Sequence, residues 1–365
     1  MNRYLCSRMD GKGSHTLAEL GEFGFIGRIR ERFPAPEGVT GIGDDCAVIP
    51  QQDGRDTLVS TDMLIEGTHF LRDDIPPYRL GWKSAAVNVS DIAAMGGTPT
   101  ATFLSVALPP GLEAGWTDEF LRGFADLSKR FGVALLGGDT TASPDRICIN
   151  VAVLGECPAG SAHLRSAARP GDLVCVTGTL GDSAAGLKAI LEGVERDADI
   201  QALIERHYLP LPRVTEGLRL AAAPGVHAMM DISDGIGSDL RHILEASSRS
   251  GRAATAEAEK KPSLRSEMPL QRHPAGTGEP LGAEVFVEAI PLSPALKRVC
   301  ARLGWDAAEL AVCGGEDYEL LFTVDPEAEK TLDVPHSVIG RIQSGSGIRW
   351  SGAGRSFGGF EHFRR

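Results

Sequence analysis

What this 365-residue chain has little of narrows it first. Its seven cysteines, at positions 6, 46, 148, 157, 175, 300 and 313, form no C-x-x-C pair, which argues against a disulfide framework or a zinc site and points to the reducing cytoplasm. No apolar run approaches the ~20 residues a membrane span needs, and MNRYLCSRMDGKGSHT lacks the apolar core of a secretory signal. Membrane insertion and secretion are therefore not expected. Basic residues are the minority, 37 Lys and Arg against 49 Asp and Glu, and no Lys/Arg-rich stripe offers a groove for nucleic acid. With a net charge of −12, a nucleotide would need metal ions to offset the acid.

What is present is an ordinary globular composition, 42% hydrophobic and 24% charged, long enough for two domains. Six acidic segments set among glycines and small residues punctuate it: GIGDDCAVIP (41–50), STDMLIEGTHF (60–70), NVSDIAAMGG (88–97), LGGDTT (136–141), MDISDGIG (230–237) and GGEDYELLF (314–322). A carboxylate following an apolar pair such as Leu58-Val59 or Leu135-Leu136 is expected where a strand ends, so folding would gather these acids at one sheet edge. Carboxylates held together either take up protons or recruit cations, and hard oxygen ligands favour Mg²⁺ or Ca²⁺.

Residues 1–16 read as a flexible leader, followed by one amphipathic helix over 17–33 with Leu17, Leu20, Phe23, Ile26 and Ile29 on its apolar face. Strands near 46–50 and 57–61 precede a helix from about Tyr78 to Met95, on which Asn88 and Asp91, three residues apart, share a face. Alternating strand and helix patterns continue to about 155, then ARPGDLVCVTG opens a second half. There GTLGDSAAGLKAIL resembles a phosphate-tolerant helix start without matching a P-loop. The stretch 252–281, rich in Ala, Glu, Lys and Pro, has too few large apolar residues to order itself and reads as a mobile surface insertion.

Any one acidic segment has an ordinary explanation. Ser233 or Asp234 can cap the next helix, Asp139 can close a turn, and Gly314-Gly315 can supply a bend. His69 reads as a half-exposed loop histidine, Arg165 as either a phosphate fork or a surface cation, and Phe357, Phe360 and Phe363 as core plugs unless one offers a ring to a planar ligand. Six such segments in one chain exceed what a scaffold needs.

In this order and at compatible spacing, LGEFGFI, GIGDD, STDMLIEGTHF, NVSDIAAMGG, LGGDTT, RPGDLVCVTGTLGDSAAGL, DISDGI and GGEDYELLF closely resemble the thiamine-monophosphate kinase family. That family belongs to the superfamily of aminoimidazole ribonucleotide synthetase, selenophosphate synthetase and HypE. The resemblance runs from about residue 17 to the C-terminus and implies a two-domain α/β (α+β) fold. An N-terminal mixed-sheet domain, 17–156, would bind ATP and metal and dimerise through a shared β-barrel, and a C-terminal α/β domain, 157–365, would carry the insertion. It further implies several Mg²⁺ ions on Asp45, Ser60, Thr61, Asp62, Asp91, Asp139, Asp231 and Asp234. ATP would meet Gly138, Asp139, Arg165 and Ser233, while thiamine monophosphate would meet His69, Glu316 and Phe360, where relatives often carry Trp or Tyr. Asp91 and Asp139 would be the catalytic pair.

The implied reaction is ATP- and Mg²⁺-dependent conversion of thiamine monophosphate to thiamine diphosphate. The acceptor phosphate, with a second pKa of about 6, is already ionised near neutral pH and needs no strong base, so direct in-line transfer without a phosphoenzyme is expected. Within the superfamily, Cys6 in YLCSRM lacks the glycine-rich context of selenophosphate synthetase, and the chain ends in Arg365 rather than the cysteine motif of HypE. The alternatives are another ATP-dependent enzyme of the superfamily or a catalytically silent metal- or nucleotide-binding module.

Overall fold

The computed structural model describes residues 16–258 and 279–358. Most of the expected leader, positions 259–278 of the expected insertion, and Phe360 lie outside the described residues. The predicted helix over 17–33 is two helices, α1 (Leu17–Leu20) and α2 (Glu22–Arg32), broken at Gly21 with φ 70° and ψ 171°. A capping box starts α1: the Thr16 hydroxyl accepts from the Glu19 N–H, and the Glu19 carboxylate accepts from the Thr16 N–H. These helices belong to a compact unit of their own that extends to Ala35.

From Pro36 onward the second unit contains two sheets. The first is built from β1 (Ala47–Pro50), β2 (Arg55–Ile65), β3 (Thr98–Leu108), β4 (Ala134–Ala142) and β5 (Cys148–Pro158), in the order β1-β2-β5-β3-β4. All neighbours are antiparallel except β3 and β4, which run parallel. Helices α3 (Pro77–Ala94) and α4 (Ala114–Phe131) separate these strands in the chain. The second sheet is ordered β11-β8-β10-β6-β9-β7, from β6 (Leu173–Val176), β7 (Val226–Asp231), β8 (Leu281–Phe286), β9 (Leu320–Val324), β10 (Ser337–Ser344) and β11 (Gly347–Ser351). Around it run α5 (Asp182–Leu191), α6 (Ala198–Tyr208), α7 (Val214–Ala222), α8 (Ile236–Ala258), α9 (Pro294–Leu303), α10 (Ala307–Cys313) and α11 (Pro326–Glu329).

Two expectations change here. The acids of STDM and LGGDTT do not sit at strand ends: β2 continues through Asp62 to Ile65, and β4 continues through Asp139 to Ala142. Strand β4 is the sheet edge and exposed throughout, so it needs no apolar alternation to persist. Helix α8 runs through Ala258 into the stretch expected to be unstructured, because RAATAEA is rich in the best helix former.

Helix α3 is the centre of the unit. Most of its 18 residues are buried, since GWKSAAVNVSDIAA presents small or apolar side chains on nearly every side. Small size also sets its spacing from α4: a Cβ on Gly81 would fall 1.9 Å from the Phe120 carbonyl oxygen, and one on Gly123 1.8 Å from that of Tyr78. The two backbones touch at a pair of reciprocal glycines. One face of α3 covers β2 and β5, where Leu58 and Val153 pack on Ile92 and Met95, and Leu64, Ile149 and Val151 on Ala86 and Val89. Among the described residues no helix is long and apolar enough to cross a membrane.

Candidate active site

The side chains of β2 alternate, so Ser60 and Asp62 face α3 along with Leu58 and Leu64, while Thr61 and Met63 face away. Asn88 on α3 accepts the Asp62 N–H at 3.1 Å through its Oδ1, and its own amide donates to the Ser84 carbonyl at 3.0 Å. One turn on, the Ser60 hydroxyl donates to Asp91 Oδ2 at 2.5 Å, and the neighbouring Ser90 hydroxyl donates to Asp231 at the end of β7. Asp45, on the loop before β1, completes the group. One carboxylate oxygen from each of Asp45, Asp91 and Asp231 lies within 4.8 Å of the others.

Burial first, and then mutual repulsion, pushes these acids up: Asp231 to about 7 and Asp62 to about 6, with Asp91 also well above the usual range. Asp44 rises to about 7 for the same reasons. Arg165, in a 3-10 turn over Arg165–Ala167, answers part of that charge. Its guanidinium pairs with Asp45, and its backbone N–H donates to both Asp44 carboxylate oxygens at 3.2 Å. Asp45 Oδ2 and Arg165 Nε remain buried without a hydrogen-bond partner. An orphaned carboxylate oxygen within a cluster of acids suits a hard divalent cation, and an orphaned guanidinium N–H beside it suits a phosphate oxygen.

Eight residues back from Asp91, toward the N-terminal end of α3, lies a second group. Lys83, fully buried, places its ammonium 2.9 Å from both Glu316 oxygens. Glu316 heads a loop pinned at every residue. Its N–H donates to the Ser233 carbonyl at 2.8 Å, and the Tyr318 N–H donates to that of Ile232 at 2.9 Å. Asp317 accepts the Gly181 N–H at 2.7 Å, and Glu319 takes the Thr177 hydroxyl at 2.7 Å together with the Arg206 and Arg213 guanidiniums. Glu316 and Tyr318 adopt positive φ, 63° and 50°, a strained geometry for residues with side chains that this pinning maintains. The N-terminus of α5, read above as a phosphate-tolerant turn, is therefore filled by the chain's own Asp317 carboxylate.

The structure thus brings Asp45, Ser60, Asp62, Asp91, Asp231 and Arg165 into one neighbourhood. Asp234, half-buried in the turn before α8, adds its charge to Asp62 and Asp239. Ser233 meets the Glu316 backbone, and His69, whose Nδ1 accepts the Ile65 N–H at 3.0 Å, lies close enough to stabilise the Glu316 anion. The Asp234 N–H donates to Asp239 at 3.3 Å.

Thr61 and Asp139 are not brought to the cluster. Thr61 faces the other side of the sheet, its hydroxyl donating to the Val151 carbonyl and accepting from Asn150. Asp139 belongs to the cross-strand row Met63, Asn150, Ser105, Asp139 on that same side, three strands beyond β2 and about 14 Å from it. Three consecutive strand residues cannot all face one ion with their side chains. Gly138 is fixed by close approach, a Cβ there falling 1.7 Å from the Leu104 carbonyl oxygen. Asp44, Lys83 and His207 were missed by sequence reasoning; only Asp44, in the quoted GIGDD, carried a local signal.

Comparison with known proteins decides the family. The AIR synthase related protein N-terminal domain matches residues 43–157, and the corresponding C-terminal domain matches residues 169–349. Thiamine-monophosphate kinase of Salmonella typhimurium is 37% identical over 337 residues, covering 89% of this chain and 91% of that protein. That of Aquifex aeolicus is 35% identical over 348 residues, covering 95% and 99%. The chain belongs to the thiamine-monophosphate kinase family. Its fold is the family's two-domain α/β fold: the structure of AaThiL complexed with AMPPCP and TMP superposes with a TM-score of 0.80 at 33% identity, covering 96% of this chain and all of that one. Escherichia coli HypE, at 21% identity and a TM-score of 0.59, shares the fold alone. The acid cluster draws Asp45 and Asp91 from the first family domain and Asp231 from the second.

Proposed function

We propose that this chain is an ATP-dependent kinase that phosphorylates thiamine monophosphate to thiamine diphosphate. The observation that carries the reading is the buried cluster of Asp45, Asp91 and Asp231 with its orphaned oxygen, in a chain that superposes on a relative complexed with AMPPCP and TMP. Asp45, Asp91 and Asp231 would hold magnesium, with Asp62, Ser60 and Asp234 around them, and the bound ions would offset the charge of the meeting phosphates. Arg165 would turn its fork from Asp45 to the nucleotide phosphates. Ser60 and Ser90 hold the Asp91 and Asp231 carboxylates in fixed rotamers, so the oxygens are in place before a ligand arrives.

Eight residues of helix, about 12 Å, separate Lys83 from Asp91. That span suits an elongated phosphomonoester whose phosphate lies at the acids and whose heterocycle lies at Glu316 and His69. The acceptor oxygen carries no proton to remove, so no base is assigned and transfer is direct, without a phosphoenzyme. Thr61 and Asp139, together with Gly138 on the same strand, would enter only through a ligand or protomer reaching the open side of the first sheet. A homodimer pairing those sides is part of the reading, supported by the exposed Met63, Phe103 and Leu136 there. So are a boundary near 156/157, supported by where the first matched domain ends, and residence in the cytoplasm, supported by the free cysteines among the described residues.

The test is incubation of purified protein with ATP, Mg²⁺ and thiamine monophosphate, followed by chromatography of the product as thiochrome. Thiamine diphosphate and ADP should appear in equal amounts. Folded, ATP-binding protein that forms neither would overturn the assignment.

A further inference from the structure

A lysine with no exposed surface is costly to bury, and the acid cluster does not use Lys83. Lys83 Nζ contacts both oxygens of Glu316 and, being wholly enclosed, has no surface left to meet a ligand. Glu316 is only half-buried, with 27% of its side chain exposed, so the carboxylate stands between the ammonium and the site. From α6 the His207 ring approaches the same carboxylate, its Nδ1 lying 3.3 Å from Glu316 Oε2 and 3.0 Å from Ser183 Oγ. Burial and the neighbouring Lys83 drop His207 to about 3, so it is neutral, and facing an acceptor-only carboxylate it carries its proton on Nδ1. His69, from the loop after β2, is the remaining charge partner that faces Glu316.

We propose that Lys83 is a positioning residue: it fixes Glu316 as a pre-oriented acceptor and cancels its charge, so that this end of the site selects an amine-bearing heterocycle by hydrogen bonding rather than a cation by charge. This rests on the reading that Glu316 meets the substrate. An isolated carboxylate would attract any cation, whereas a carboxylate already shared with an ammonium and an imidazole N–H offers directed lone pairs and little net field. The position of Glu316 at φ 63°, anchored through its N–H to Ser233, limits how far the side chain can swing, and Lys83 fixes the rest.

Lys83→Met keeps the length and removes the charge. It should raise the KM for thiamine monophosphate roughly 10- to 100-fold while leaving the KM for ATP within about 2-fold and kcat little changed. In a Glu316→Gln background the same substitution should cost less than about 2-fold, because its intermediary is gone; that double variant also leaves no unpaired charge inside. Equal losses for both substrates, or an undiminished effect in the Glu316→Gln background, would overturn the role. A wild-type protein that does not phosphorylate thiamine monophosphate refutes the functional reading instead. The crystal structure of Lys83→Met then still decides the positioning claim: a displaced Glu316 carboxylate supports it, and one that stays in place sinks it.

Discussion

At the residue scale, the acid cluster is an arrangement that the fold tolerates rather than one that stabilises it. Asp91 is the member most enclosed by like charges, facing Asp62, Asp231 and Asp45, with only the Ser60 hydroxyl in its favour. Asp91→Asn should lower kcat by at least about 100-fold while leaving the melting temperature of the metal-free protein unchanged or higher, since it removes a repulsive charge. Steady-state kinetics at saturating Mg²⁺ beside thermal melts check both halves; a near-normal rate would remove Asp91 from the site. The same repulsion fixes a pH dependence. Folding lifts Asp62 to about 6 and Asp44 and Asp231 to about 7 from 3.8, so between those limits the native protein binds more protons than the unfolded chain. Stability of the metal-free protein should therefore fall as pH rises from about 4 to about 7, and added Mg²⁺ should flatten the trend. Melts in chelator across that range, repeated with Mg²⁺, measure it; a metal-free protein that gains stability with pH would contradict the cluster.

At the scale of elements, the contact between α3 and α4 leaves no room for a methyl group at Gly81 or Gly123. Gly123→Ala should destabilise by about 1–3 kcal/mol through overpacking, without altering KM for either substrate. Denaturant unfolding reads the first, and kinetics the second. The alternation of strand and helix in this half was legible because α4 and β5 carry strong apolar periodicity and α3 is a long run of small and apolar residues, and the bounds of α3 fell within a residue of expectation. The ends of β2 and β4 were not, because a strand with one open face or a free edge continues through polar residues that read as a stop. Thr61 and Asp139 entered the expected ligand set through the family resemblance, and both lie on the open side of the first sheet. Helices α6 and α7 carry no acidic motif and were passed over, and with α6 went His207, the neutral partner of Glu316. Lys83 was invisible for a different reason: in GWKSAAVNVSD a lysine reads as a solvated position, and only a partner 233 residues away explains its burial.

At the scale of the whole molecule, the open side of the first sheet, bearing Met63 and Phe103, and its edge residue Leu136 are too apolar to be left to water. Light scattering should find a dimer, and Leu136→Lys should shift it toward monomer; a wild-type monomer at micromolar concentration would refute the pairing. Helix α3 also sets which changes of length the chain tolerates. Lys83 and Asp91 reach Glu316 and the carboxylate cluster from faces about 80° apart, because eight residues at about 100° each make two full turns and a fraction. One residue added or removed between them would rotate one end by about 100° against the other, separating the heterocycle end from the phosphate end while leaving every catalytic side chain present. The turn at Gln52–Gly54 carries no such phase constraint, so across the family the count from Lys83 to Asp91 should be an invariant while the loops vary.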